Sequence, residues 1–274
     1  MSELAGEDVA GRAAGDVVAA SAVVIVPARL ASTRFPEKVL ASATGKPLVQ
    51  HVAERAAGAK CCRLLVVAAD HTRVVDALRP FGTRVILTRD DHPNGTSRLA
   101  EAATALNLEP DEIVVNAQGD EPELDPAVID AAVSALIRTR GAVVGTVASV
   151  IADPAQIEDR NIVKVVRRLD GSALYFSRAP IPVDRDKRGA GGEGGEGSVR
   201  ALRHVGVYAY RNSFLQRYAR MEQTPLERSE QLEQLRVLEH GLTIAVGLCA
   251  SPEPGIDTPE QYEAFVKRWR AGPR

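Results

Sequence analysis

The chain has 274 residues, 45% of them apolar, and so carries enough apolar surface for a full core, whether as one large α/β domain or two small ones. A formal net charge of −2 argues against bulk binding to nucleic acid or an anionic membrane, leaving local basic clusters to bind small anions. Three cysteines without zinc-ligand spacing, and no run of ~18 apolar residues, fit a reducing setting without a membrane span.

Residues 1–21 are Ala/Gly-rich and acidic and read as a loosely ordered extension. Asp16 and the early glutamates interrupt any secretory signal. Val23–Pro27 is the first predicted strand. The run VIVPARLASTRFPEK continues it into a loop with three cations, Arg29, Arg34 and Lys38. A helix near Pro47–Ala57 follows, with Leu48, Val52 and Ala56 on one face. Strands at Arg63–Ala69, Arg84–Thr88, Ile113–Ala117 and Ala142–Ile151 alternate with helices near Thr72–Leu78, Thr96–Leu106 and Pro126–Thr139. That alternation predicts a mostly parallel sheet covered on both faces.

After Asp153-Pro154 the pattern changes. Ile162–Arg168, the turn Asp170-Gly171 and Ser172–Phe176 predict a hairpin. Gly189–Gly197 is low-complexity and reads as a loop, not a phosphate cradle, since no strand leads into it. Then come a strand at Arg203–Tyr210, helices near Ser213–Met221 and Leu226–Gly241, a strand at Thr243–Leu248 and a closing helix at Pro259–Trp269.

Four places carry candidate chemistry. The loop after the first strand lies where open α/β sheets bind ligands, yet it has neither GxGxxG nor GxxxxGK[ST], so side-chain cations must neutralise any phosphate. A nucleoside triphosphate carries about four negative charges, which three cations and a divalent metal nearly balance. In Asn116-Ala117-Gln118-Gly119-Asp120-Glu121-Pro122, Asp120 follows an apolar strand at the same sheet edge, as either a Mg²⁺ ligand or part of a polar turn. In Gly255-Ile256-Asp257-Thr258-Pro259-Glu260 the spacing favours helix capping, and a metal role for Asp257 requires Thr258 to be the cap. His204 and Tyr208 share one strand face with Gly206 between them, which leaves room for a ligand, although a satisfied, half-buried histidine is the commoner explanation of such a pattern.

The ordered set VIVPARLASTRFPEK, GTSRLAEA, IVVNAQGDEP, NIVKVV with GSALYFSRAPIP, RHVGVYAYR, PLERSEQLEQLRVLEHG and GIDTPEQYE resembles the 3-deoxy-manno-octulosonate (Kdo) cytidylyltransferases, also called CMP-Kdo synthetases, from about Val23 to Val266. The resemblance implies a Rossmann-like, mostly parallel sheet of the nucleotide-diphospho-sugar transferase type, with a smaller mixed region for dimerisation and sugar binding. It further implies a single domain over 22–274 whose residues 160–220 form a hairpin arm. The implied reaction joins CTP to the anomeric hydroxyl of Kdo, an eight-carbon acidic sugar, and releases pyrophosphate, for lipopolysaccharide biosynthesis. By motif, Arg29, Arg34 and Lys38 hold the triphosphate, Thr96 and Arg98 the cytidine, and Asp120 and Asp257 the Mg²⁺. Gln118, Arg178, His204, Tyr208, Glu233 and Gln234 line the sugar pocket, with Arg178 partnering the sugar carboxylate. A cytoplasmic homodimer follows from the same likeness, with CTP and Kdo as partners and no nucleic acid or membrane.

Three departures stand out. Glu37-Lys38-Val39 replaces a common Gly-Lys-Pro, which narrows the loop's conformations and adds negative charge beside a polyanion. Ser97 replaces a common acid, and the 185–200 loop is Gly-rich. The rival readings are CMP transfer to another acidic sugar, of the sialic acid or 8-amino-Kdo type, and a non-catalytic nucleotide-binding protein on the same scaffold. A dinucleotide oxidoreductase lacks support, because the glycine fingerprint is missing.

Overall fold

The computed structural model describes residues 21–183, 200–250 and 255–272. The proposed extension over 1–21 therefore lies, save its last residue, outside the described residues, as do the Gly-rich run 189–197 and most of the loop around it.

Chain order is β1 (Ala22–Ala28), α1 (Leu48–Ala57), β2 (Cys62–Ala69), α2 (Thr72–Leu78), β3 (Val85–Leu87), α3 (Gly95–Ala105), β4 (Ile113–Asn116), α4 (Pro126–Arg138) and β5 (Ala142–Val150). A four-residue α5 (Ala155–Glu158), β6 (Lys164–Arg167), β7 (Ala173–Ser177), β8 (Leu202–Arg211), α6 (Asn212–Tyr218), α7 (Pro225–Glu230), α8 (Gln234–Glu239), β9 (Thr243–Leu248) and α9 (Pro259–Ala271) complete it. The strands run β3-β2-β1-β4-β8-β5-β9 across the sheet. Pairings β2–β3, β1–β2, β1–β4 and β5–β9 are parallel, whereas β8 is antiparallel to both its neighbours, β4 and β5. The expected mostly parallel sheet is present, with one reversed strand near its centre.

Both faces are covered, which is why β1 reads as an unbroken apolar run. Val49, Val52, Val128, Ile129 and Leu136 from α1 and α4 fill one face. Leu99, Ala103, Leu215 and Leu235 from α3, α6 and α8 fill the other. Helix α4 sits so close to β5 that a Cβ on Gly145 would lie 2.3 Å from the Ala132 carbonyl oxygen, so only glycine fits there. Helix α9 closes a third cluster, in which Tyr262 and Phe265 pack on Leu48 and Ile256.

Two sequence expectations change. Residues 160–220 do not form one arm: β6 and β7 make a hairpin, but β8 is built into the main sheet, where its apolar face (Val205, Val207, Ala209) is needed for the core. The single helix expected over Leu226–Gly241 is two, α7 and α8. The chain leaves α7 at Gln231, which is left-handed at φ 53° and ψ 48°. Periodicity runs through such a break unseen, because the break residue is not glycine.

Candidate active site

The carboxyl ends of β1 and β4 and the overhanging first half of β8 meet at one sheet edge, next to the start of α3 and the α7–α8 junction. Two connected hollows lie there. A cleft of about 420 Å³ is lined by Arg29, Arg34, Lys38, Asn94, Asp120 and Asp257. A cavity of about 190 Å³ behind it is lined by Thr96, Asn116, Tyr208, Tyr210, Tyr218 and Gln234. Gly95, Gln118 and Glu233 border both.

The loop after β1 is tethered where the Leu30 amide donates to Asp70 Oδ1 at 2.9 Å. Glu37 then turns the chain at φ 55° and ψ 26°, a conformation that glycine adopts freely. This accounts for glycine being common there. The Glu37 carboxylate points at Arg73, whose Nη2 donates to Oε2 at 2.7 Å and whose Nη1 donates to Oε1. The charge that the sequence set beside a polyanion is thus paired with a neighbouring cation, and that guanidinium holds the carboxyl below its usual range.

The turn through Glu37 delivers Lys38 into a knot of oxygens. Its Nζ donates to Asp120 Oδ2 at 2.6 Å, to Asp257 Oδ1 at 3.0 Å and to the Ile256 carbonyl at 2.9 Å. Arg34 Nη2 lies 2.9 Å from Asp257 Oδ2. Two carboxylates separated by more than a hundred residues therefore converge on one ammonium. Thr258 caps α9, accepting from the Gln261 amide at 3.3 Å in a capping box, so Asp257 is free to face the cleft. Arg29 is exposed at the cleft wall.

The atoms that accept from that ammonium are all oxygens, which suits a hard cation. Among the described residues no group of three or more His, Cys, Asp or Glu could cage a metal. Two carboxylates fit Mg²⁺ nonetheless, since this ion is usually held by one or two carboxylates together with substrate phosphates.

Arg98 lines the outer cleft and Thr96 the cavity, whereas Arg178 and His204 border neither. Arg98 is 4% exposed and its guanidinium is anchored: Nη1 donates to Thr88 Oγ1 at 2.7 Å and to the Arg89 carbonyl at 3.1 Å, and Nη2 lies 3.4 Å from Asp70 Oδ2. It stiffens the cleft wall. Thr96 faces the inner cavity, where Oγ1 donates to Glu233 Oε2 at 2.9 Å. Arg178 borders neither hollow. Its Nε donates to the Glu230 carbonyl at 2.8 Å and its Nη1 to the Arg160 carbonyl at 3.0 Å, so the guanidinium fastens the hairpin to α7.

His204 also borders neither hollow. Its Nε2 lies 3.0 Å from Thr146 Oγ1, its ring packs edge-on against Phe176, and burial holds its pKa down to about 3. The space expected between His204 and Tyr208 is filled: a Cβ on Gly206 would touch Gln118 Cγ at 3.5 Å, and Gln118 Nε2 donates to the Gly206 carbonyl at 3.1 Å. Tyr208 donates to Gln234 Oε1 at 3.1 Å.

Glu233 and Gln234 reach the cavity because the chain breaks at Gln231. Tyr218 fixes the break by donating to the Glu233 carbonyl at 2.8 Å. Arg236 then stacks on Tyr218 and forms a buried pair with Glu227, its Nε donating at 2.7 Å. Burial raises the Glu233 carboxyl above its usual range, and burial beside Asp120 pushes Glu121 up to about 8. Asp70, Asn94, Asn116, Tyr210 and Tyr218 were not singled out from sequence. For Asn116 a signal existed: a polar residue ending the apolar run IVVN.

A family model described as "Cytidylyltransferase" matches residues 23–244. The chain is 46% identical to the 3-deoxy-manno-octulosonate cytidylyltransferase of Solibacter usitatus, over 90% of this chain and 94% of that one. It is 49% identical to the protein of the same name from Methylibium petroleiphilum, over 88% and 92%. A solved CMP:2-keto-3-deoxy-manno-octonic acid synthetase complexed with CTP superposes with a TM-score of 0.82 at 37% identity, covering 92% of this chain and 99% of that one. A 4-diphosphocytidyl-2C-methyl-D-erythritol synthase, at a TM-score of 0.56 and 13% identity, shares the fold.

Proposed function

This chain belongs to the 3-deoxy-manno-octulosonate cytidylyltransferase family, and we propose that its cleft positions CTP and Kdo for in-line attack of the sugar's anomeric oxygen on the α-phosphorus, with pyrophosphate leaving. The observation that carries the residue assignment is the convergence of Lys38, Asp120 and Asp257.

Phosphoryl chemistry of this kind asks a protein mainly for positioning and charge neutralisation. Arg29 and Arg34 line the outer cleft and face the triphosphate. Lys38 leaves the carboxylates for the phosphates when nucleotide enters, so that its charge stabilises the departing pyrophosphate. Asp120 and Asp257, freed of the ammonium, would hold Mg²⁺, which would supply charge neutralisation to the triphosphate and acidity to the sugar hydroxyl. Arg98, Asp70 and the capped start of α3 keep the nucleotide wall rigid. Glu233 and Gln234 face the sugar from the opposite side. Reaction in the cytoplasm, as a homodimer, belongs to the same proposal. The exposed Leu169 and Leu174 on the β6–β7 hairpin support an apolar contact between copies, and sedimentation velocity tests it.

The decisive experiment is CTP-dependent pyrophosphate release with Kdo, 8-amino-Kdo and a sialic acid, each with and without Mg²⁺. Kdo is expected to be the preferred substrate, and only with the metal. Asp120→Asn is expected to keep the fold and lose at least roughly a hundredfold in turnover. Near-wild-type rates in that variant would remove the metal role, and CTP binding without turnover on any sugar would leave a nucleotide-binding protein.

A further inference from the structure

Lys164 is the largest fully buried side chain among the described residues, with no exposed surface. Lysine is almost never buried completely without a partner. This one stands in β6, opposite Ser177 of β7 on one side and Arg203 of β8 on the other. Its Nζ donates to the carbonyls of Ile162 at 2.6 Å, Arg178 at 2.7 Å and Asp159 at 2.9 Å. An ammonium has three protons, and all three are used. The backbone thus forms an oxygen cage of the kind that holds a small cation, and the lysine supplies that cation from within the fold. An apolar side chain would fill the space but would take a donor from each of the three carbonyls.

Two of those carbonyls belong to the loop before β6 and the third to the exit of β7, so the ammonium ties these stretches together. Residue 178 is gripped from other sides as well. Its amide donates to Glu230 Oε2 at 2.9 Å, beside the bond from Ser177 Oγ to Glu230 Oε1 at 2.7 Å. Its guanidinium meets the Glu230 and Arg160 carbonyls and lies 3.5 Å from that of Gln231. Gln231 is the left-handed residue that ends α7, and Glu233 and Gln234, just beyond it, line the inner cavity. Lys164 borders neither hollow, yet a single residue, Arg178, separates its ammonium from that bend. The outer cleft is built from the loop after β1, the Asp120 segment and the start of α9, none of which the three bonds of Lys164 reach. We propose that Lys164 is a positioning residue: its ammonium fixes Arg178, and Arg178 fixes the bend that sets Glu233 and Gln234 for the acidic sugar. The inference rests on the CTP-and-Kdo reading and adds to it a residue, remote from both substrates, that governs one of them and not the other.

The test uses Lys164→Ala, which removes the side chain beyond Cβ. The missing piece is n-propylammonium, and 1-propanol is its uncharged counterpart. Wild-type turnover of Kdo with CTP and Mg²⁺ comes first, because its absence would overturn the family-based reading instead of this one. In Lys164→Ala the KM for Kdo is expected to rise about tenfold or more, with kcat within about threefold of wild type. CTP affinity, measured by calorimetry without sugar, is expected to stay within about threefold, which also reports a folded cleft. Added n-propylammonium is expected to lower the KM for Kdo again by at least about threefold, and 1-propanol to leave it raised. A lysine that only held the fold together would lower Tm and leave the KM for Kdo unchanged. A KM for Kdo within about twofold of wild type in a variant that binds CTP overturns the proposal, as does a response to n-propylammonium no greater than that to 1-propanol. Should Lys164→Ala fail to bind CTP, Lys164→Met, which keeps most of the volume without the donors, decides by the KM criterion.

Discussion

Replacing Lys38 by methionine tests the electrostatics of the cleft most directly. In the free protein the Lys38 ammonium is 13% exposed and serves two carboxylates, at 2.6 and 3.0 Å. Breaking a fully buried pair from one side costs about 3–5 kcal/mol, because the remaining charge keeps its desolvation penalty. Asp120 and Asp257 are 29% and 40% exposed, so solvent screens much of that penalty, and about 2 kcal/mol is the reasonable scale. For a chain of this size that lowers Tm by roughly 4–8 °C. The same substitution leaves Asp120 without a cation and Asp257 with the exposed Arg34 alone, so Mg²⁺ or Mn²⁺ alone, without CTP, is expected to restore Tm. Wild type should respond far less to the metal, since its own ammonium competes for the position. Turnover with CTP falls by at least about a hundredfold. Differential scanning fluorimetry across a metal titration reads the first two outcomes and pyrophosphate release the third. An unchanged Tm in Lys38→Met, together with no greater metal response than wild type, would refute the reasoning.

Three further expectations follow from the same geometry. Glu37→Gly removes a residue from a left-handed position and a charge already matched by Arg73, so KM for CTP should change by less than about threefold; a larger change would mean that Glu37 acts on the triphosphate. Arg236→Met strands the buried Glu227 carboxylate and should cost roughly 3 kcal/mol or more in chemical denaturation, with sugar KM rising as the α7–α8 break loosens; wild-type stability would remove this pair from the account. His204 and His51 have pKa values lowered by burial to about 3 and about 4, against 6.5 in the unfolded chain. The unfolded state therefore binds more protons below pH 6.5. Their contribution is present above that pH and is lost as pH falls towards 4 and then 3, with a slope of up to about 1.4 kcal/mol per pH unit for each. Urea midpoints between pH 7 and 4.5 check this, and a flatter profile in His204→Gln would confirm its share.

The fold was legible where local pattern decides the outcome. The runs that became β1, β2, β4, β5 and β9 are apolar because both sheet faces are covered, and the capping of α9 by Thr258 can be read from a few residues. Long-range choices were not legible. Nothing in RHVGVYAYR says that β8 must run antiparallel between β4 and β5, since that depends on partners far away in the chain. The break at Gln231 carries no glycine, and Glu37 likewise hides a left-handed turn. In the site, the meeting of Lys38 with Asp120 and Asp257 spans separations of 82 and 219 residues, beyond any spacing rule. The motif likeness supplied it. The same likeness suggested Arg178 and His204 as pocket residues, where the structure gives both of them packing and fastening roles.

Gly119 lies in the loop after β4, and a Cβ added there would lie 2.5 Å from the Pro27 carbonyl oxygen. That missing methyl works as a spacer gauge: it sets how near the segment bearing Asp120 can come to the end of the first strand, which the loop bearing Arg29, Arg34 and Lys38 follows. A methyl at position 119 would collide with that backbone carbonyl and force the Asp120 segment away from the end of β1, so the spacing of Asp120 from Lys38 depends on the smallest side chain in the loop.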